Sequence, residues 1–242
     1  MQKTNELNAL YEMWIGAYEQ KGEKFEVFVK DGIVNETEFP KDGIKVLFAL
    51  KDLHLDEKGR EFYKDVIDMR KHVCDPGDGK TWNPIARWSN ALLNADVKFN
   101  DITDKQKREL LNRIAFINLK KEAGYQSVPD KCVTCYAKRD WEYILEEIRI
   151  INPNVIIAGG RVVFDALREF VFGNPPLEAS KITLNKKMLE YGKVFNAGTK
   201  EKPLYVVEYY HPTKFGRGSC NREEHHNNML EIRKYILNKI LC

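Results

Sequence analysis

No apolar run in the chain approaches the roughly 18 residues that a membrane-spanning helix needs. The opening Met1-Gln2-Lys3-Thr4-Asn5-Glu6 also lacks the apolar core of a signal peptide. A soluble, cytoplasmic protein is the expectation. Charge of one sign is missing as well. With 39 basic and 36 acidic residues the net charge is +3, so no global field announces a nucleic-acid partner, and any basic footprint must be local. Cysteine is sparse and unpatterned. Cys132 and Cys135 form one CxxC, but Cys74, Cys220 and Cys242 lie far away, and no second CxxC or His pair stands at ligand spacing. An odd count in an intracellular chain argues against a disulfide framework. Free thiols are expected, with zinc or iron–sulfur ligation by Cys74, Cys132, Cys135 and Cys220 as the alternative.

What is present is enough apolar material for a sizeable core. At 242 residues and 43% hydrophobic content the chain is most simply one domain, 1–242, with 1–44 as an N-terminal helix and lead-in. Leu7, Leu10, Tyr11, Trp14, Ala17 and Tyr18 predict an amphipathic helix ending near Lys21-Gly22. Phe25 to Gly43, with its Asp31-Gly32 turn and Pro40, reads as irregular. Four short apolar runs follow at 45–50, 114–119, 155–158 and 204–207, of the kind that strands covered on both faces require. Helical patterns separate them. One is charged, from Asp56 to Val73; one carries Ile85, Trp88 and Leu92 after a first-turn Pro84; one opens on Thr103 and Gln106 at capping-box spacing. Trp141, Ile144, Leu145, Ile148 and Ile151 stripe another, and Met229, Ile232, Ile236, Leu237 and Ile240 stripe the last. Gly159-Gly160-Arg161 leads from a strand into a helix, but it does not match GxGxxG, so dinucleotide binding is not expected. Lys181 to Lys202 carries six lysines against two glutamates, and faces either phosphates or solvent.

Four buried strands separated by helices imply parallel pairing through right-handed crossovers, hence a three-layer α/β/α sandwich around a central four-stranded parallel sheet. In such a sheet, ligands bind beyond the carboxyl ends of the strands. Polar residues cluster there. Lys51, Asp52 and His54 follow the first strand, Asn118 ends the second, and His211 follows the last. A histidine is a proton or hydrogen-bond handle, and a carboxamide both donates and accepts, as reading the edge of a base demands. Taken singly, each is also compatible with an ordinary strand-to-loop turn.

Three stretches together carry a resemblance. Val46-Leu47-Phe48-Ala49-Leu50-Lys51-Asp52-Leu53-His54 looks like the first motif of the uracil-DNA glycosylase superfamily. Ile117-Asn118-Leu119 is similar to its strand-end Asn, and Tyr210-His211-Pro212-Thr213-Lys214-Phe215 resembles its second motif. Order and separation agree from about Lys45 onward, leaving the first 40 or so residues unmatched. The resemblance implies a monofunctional DNA glycosylase that hydrolyses an N-glycosidic bond and leaves an abasic site. Asp52 would orient water and stabilise the sugar cation, and His211 would donate a hydrogen bond to the leaving base. Asn118, with Lys51 and His54, would bind the flipped base. Phe215 would act as a wedge, while Thr213, Lys214 and Arg217 would grip DNA. The partner would be DNA, met by a monomer, with no cofactor, no metal and no membrane.

The motifs depart from those of the best-known family. Gly, Gln, Pro and Tyr around the acid are replaced here by Leu50, Lys51, Leu53 and His54. Because some of those residues exclude the thymine methyl, hypoxanthine or a 5-modified cytosine enters as a substrate, the latter in defence against phage with modified DNA. A non-catalytic DNA-binding module of the same fold, a protein-interaction scaffold and a small-molecule nucleotide-binding protein are the other readings. Tyr63 and Trp82 are candidates for stacking on the base.

Overall fold

The computed structural model describes residues 1–23, 25–73, 79–94, 97–100, 102–124, 128–178, 182, 192–213 and 221–240. In chain order its elements are α1 (Gln2–Gln20), β1 (Val27–Lys30), β2 (Gly32–Ile33), β3 (Val46–Leu50), α2 (Glu57–Phe62), β4 (Asp65–Asp68), α3 (Gly79–Leu93), α4 (Asp104–Leu111), β5 (Ala115–Asn118), α5 (Asp130–Arg139), α6 (Trp141–Ile151), β6 (Val155–Gly159), α7 (Arg161–Ala166), β7 (Val194–Asn196), β8 (Tyr205–Tyr209) and α8 (Arg222–Ile240).

The four apolar runs form the expected parallel centre, in the order β5-β3-β6-β8. Two short edge strands, β2 and β7, extend it antiparallel to six. Side chains alternate between the two faces, as strand geometry requires. Phe48, Phe116, Ile157 and Val207 pack beneath α3, α4 and α8, whereas Leu47, Ile117, Ile156 and Val206 pack against α1, α5, α6 and α7. Each fully buried Leu, Ile, Val or Phe contributes about 1.5–3 kcal/mol, so the two faces hold the sheet in place.

Three expectations fail for identifiable reasons. The stretch from Phe25 to Gly43 is not wholly irregular. Its β1 pairs in parallel with β4 as a separate two-stranded sheet, and its β2 forms the edge beside β5. Both strands are too short for a period to show in the sequence. The charged pattern from Asp56 to Val73 is not one helix: α2 ends at Phe62, and only a short 3-10 turn, Met69–Lys71, follows β4. Asp65 takes φ 67° and the chain turns into β4. Pro84 lies inside α3 rather than in its first turn, because the helix begins at Gly79. The capping box at Thr103 and Gln106 is present, with both reciprocal bonds made.

Candidate functional site

Strand register sets the site. Leu50 pairs with Asn118, Ala49 with Ala158 and Gly159 with Tyr209, so β5, β3, β6 and β8 end level with one another and release the following residues at one edge. There a cavity of about 670 Å³ opens, and Asp52, Asn118 and His211 all line it. Gly159 makes the close approach possible. A Cβ at this position would lie 3.1 Å from the Ala49 carbonyl oxygen and 3.1 Å from the Leu50 side chain, with Pro212 at 3.5 Å.

Asp52 stands on a braced loop. Beyond β3 the backbone carbonyls of Leu50, Lys51 and Leu53 accept from the N–H groups of Leu119, Lys120 and Gly124, and Leu55 N–H donates to the Gly124 carbonyl. These bonds hold the loop between two strand ends without engaging the carboxylate. Asp52 Oδ2 is buried and has no hydrogen-bond partner among the described residues. Burial therefore raises its pKa above the ordinary 3.8, against the attraction of Lys120, His54 and Lys51. A desolvated, unengaged carboxylate is suited to accept a proton or to face a developing cation.

His211, half-buried, is oriented by its own turn. Its Nδ1 accepts from the Thr213 backbone N–H at 3.3 Å and lies 2.8 Å from Thr213 Oγ1. A backbone N–H can only donate, so in the neutral ring the proton resides on Nε2. Thr213, expected as a DNA contact, lines the cavity and also sets this tautomer. Lys214, Phe215 and Arg217 lie outside the described residues, as do Cys74, Cys220, Cys242 and, in the lysine-rich stretch, Lys181, Lys186 and Lys187.

Asn118 is almost fully buried, and its environment was not foreseen. Asp31 Oδ2 accepts from both its backbone N–H, at 2.7 Å, and its side-chain Nδ2, at 3.1 Å. Asp31 in turn pairs with Lys121, which is also bonded to Glu147 at 3.0 Å; all three side chains are fully buried. Tyr11 of α1 closes the cluster with a 2.5 Å bond to Glu147. Burial pushes Lys121 down, but the two carboxylates hold it above its usual value.

The remaining expected site residues fall out as follows. His54 is exposed and lines the cavity, tied through a backbone bridge to Gly124. Lys51 lines it too, but its ammonium pairs with Asp130 at 2.5 Å across the mouth. Trp82 joins the wall, packed edge-on to Phe116 at 4.8 Å, whereas Tyr63 stacks edge-on to His72 in a separate depression. Tyr63 is thus not among the residues that line the cavity of Asp52. Sequence reasoning missed Phe116, Met69, Lys80 and Arg161 as lining residues. The glycines at 159–160 were the available signal for Arg161, since they end a strand at the same edge. Arg161 Nε donates to the buried Glu208 at 3.1 Å, which anchors one cation at the rim. Cys132 is half-buried and Cys135 exposed, and both are free thiols on α5. Among the described residues no three His, Cys, Asp or Glu side chains gather as metal ligands, and no helix is long and apolar enough to cross a membrane.

Fold and site together define an α/β protein with a mostly parallel sheet and a polar crevice at the strands' carboxyl edge. No protein-family model matches the chain, and no curated protein is significantly similar to it.

Proposed function

We propose that this protein is a DNA glycosylase of the uracil-DNA glycosylase type, hydrolysing the N-glycosidic bond of uracil or a related modified base. The observation that carries the reading is the meeting of Asp52, Asn118 and His211 in one cavity from three different strands. Cleaving this bond needs charge stabilisation at both ends, because the base leaves with the bonding pair and the sugar becomes cation-like. Asp52 faces the cation and accepts the proton of the water whose oxygen bonds to C1′. His211, its proton on Nε2, donates a hydrogen bond to the base oxygen as negative charge gathers there, without giving the proton up. Asn118 holds the edge of the base, with Trp82 and Phe116 as the aromatic wall. Extruding the nucleotide costs a few kcal/mol, which the cavity must recover by contact.

The test is alkali-revealed strand cleavage on oligonucleotides bearing uracil, hypoxanthine or 5-substituted cytosines, in single and double strands. Cleavage at one lesion, lost in Asp52→Asn and in His211→Ala, is the expected result. Bound but uncut DNA across the whole panel would instead indicate a non-catalytic binding module.

A further inference from the structure

We propose that Asp31 is a positioning residue that sets base specificity by fixing which way round Asn118 presents its carboxamide. The cavity then takes bases with a ring N–H beside a carbonyl and rejects those with an amino group beside a ring nitrogen. This rests on the glycosylase reading and deepens it. Its footing is a single carboxylate oxygen. Asp31 Oδ2 holds both N–H groups of Asn118, while Oδ1 engages the Lys121 ammonium. A carboxylate paired with an ammonium has no proton to give, so it only accepts. The amide nitrogen must therefore face it. A reversed amide would set the Asn118 carbonyl against a buried negative charge and lose a charge-assisted bond.

Because the same oxygen also takes the backbone N–H of Asn118, the Nδ2 hydrogen it holds is the one on the Cβ side. The outward edge of the amide is then one acceptor, Oδ1, beside one donor, the second Nδ2 hydrogen. Uracil and hypoxanthine offer the complement, a ring N–H beside a carbonyl. Cytosine and adenine offer a ring acceptor beside an amino donor. Seating them requires turning the base over, away from His211, or turning the amide over, against Asp31. Asp31 lies on the lead-in, outside every stretch that carries the motif resemblance, and contributes no surface to the cavity itself.

Asp31→Asn tests this with little change of volume. Lys121 draws the new carbonyl toward itself, which turns the new NH2 toward Asn118 and favours the reversed amide. The ratio of single-turnover cleavage on a uracil oligonucleotide to that on the matched cytosine oligonucleotide should fall about 10- to 100-fold, the range that a bond to a charged group commands. Uniform loss on both substrates, with the ratio kept, would mark Asp31 as merely structural and overturn the proposal. A second measurement needs no variant. In the ¹⁵N-labelled wild-type protein, one of the two Asn118 Nδ2 hydrogens should exchange with solvent far more slowly than the other; equal rates would overturn the proposal even if Asp31→Asn fails to fold. Failure of the underlying reading looks different, because the wild-type protein would then cleave no lesion at all.

Discussion

In the proposed reaction, Asp52 sets activity against stability. Its Oδ2 is buried without a partner, and its pKa is raised by burial, so the folded state binds a proton more tightly than the unfolded chain does. Stability from this group is therefore greatest below the ordinary 3.8 and declines as pH rises through the raised value. The proposed activity runs the other way, since only the carboxylate can take a proton from water. On uracil DNA, kcat/KM should rise about tenfold per pH unit below the raised pKa and level off above it. Asp52→Asn should lower kcat by about 10²–10⁴-fold and yet raise the melting temperature at neutral pH, where about 2–4 °C corresponds to 1 kcal/mol for a chain of this size. Thermal melts and single-turnover rates on the same preparation check both halves. A variant that loses activity and also melts lower would show that Asp52 is held for structure, not for chemistry.

At the scale of elements, precision depends on how closely β6 lets its neighbours approach. Gly159→Ala places a methyl 3.1 Å from the Ala49 carbonyl oxygen, which is backbone and cannot rotate aside. Overpacking of this kind costs about 1–3 kcal/mol, and it displaces the end of β3 three residues before Asp52. A shift on the order of 1 Å costs about 10²-fold in rate, so kcat should fall much further than stability alone explains. Thr103→Ala is the control. It removes the α4 capping box far from the cavity, and should cost about 1 kcal/mol with kcat unchanged. Denaturant titrations and kcat for the two variants separate the effects. The same elements explain what the sequence could reveal. The central strands were legible because each is a continuous apolar run, and the parallel order then gathered Asp52, Asn118 and His211 at one edge. The strands β1, β2 and β4 have two to four residues each, too few for alternation to register, and Asp65 enters β4 through a φ that charge patterning cannot announce. Asp31 looked like a turn residue because Asp-Gly is a turn signal. Its burial depends on partners 87 and 90 residues away, which no local window contains.

The whole molecule is knitted together by the cluster that local reading missed. Tyr11 comes from α1, Asp31 from the lead-in, Lys121 from the segment after β5, and Glu147 from α6, so one ion group joins the N-terminal segment to both the sheet and a covering helix. Two buried acids share one buried base. Burial, reinforced by Asp31, therefore raises Glu147 from 4.5 to about 8, against the pull of Lys121. A raised carboxyl means that the folded state holds the extra proton, so this group's contribution to stability declines as pH rises across that window. Urea unfolding of the wild-type protein should become easier between pH 5 and pH 8, and Glu147→Gln, which cannot ionise, should flatten that slope. Lys121→Met makes the sharper test above about pH 8, where Glu147 is ionised in the wild-type protein: it removes the cation that both acids share and should cost about 3–5 kcal/mol, as breaking a buried pair does. At that pH the loss should be partly restored in the Lys121→Met, Glu147→Gln double variant, where Asp31 alone can ionise. If the double variant is no more stable than Lys121→Met, the cluster acts through packing against Tyr11 and Trp14 and not through charge. Restoration would show that the N-terminal segment belongs to the folding unit electrostatically, as the role proposed for its Asp31 at the end of β5 requires.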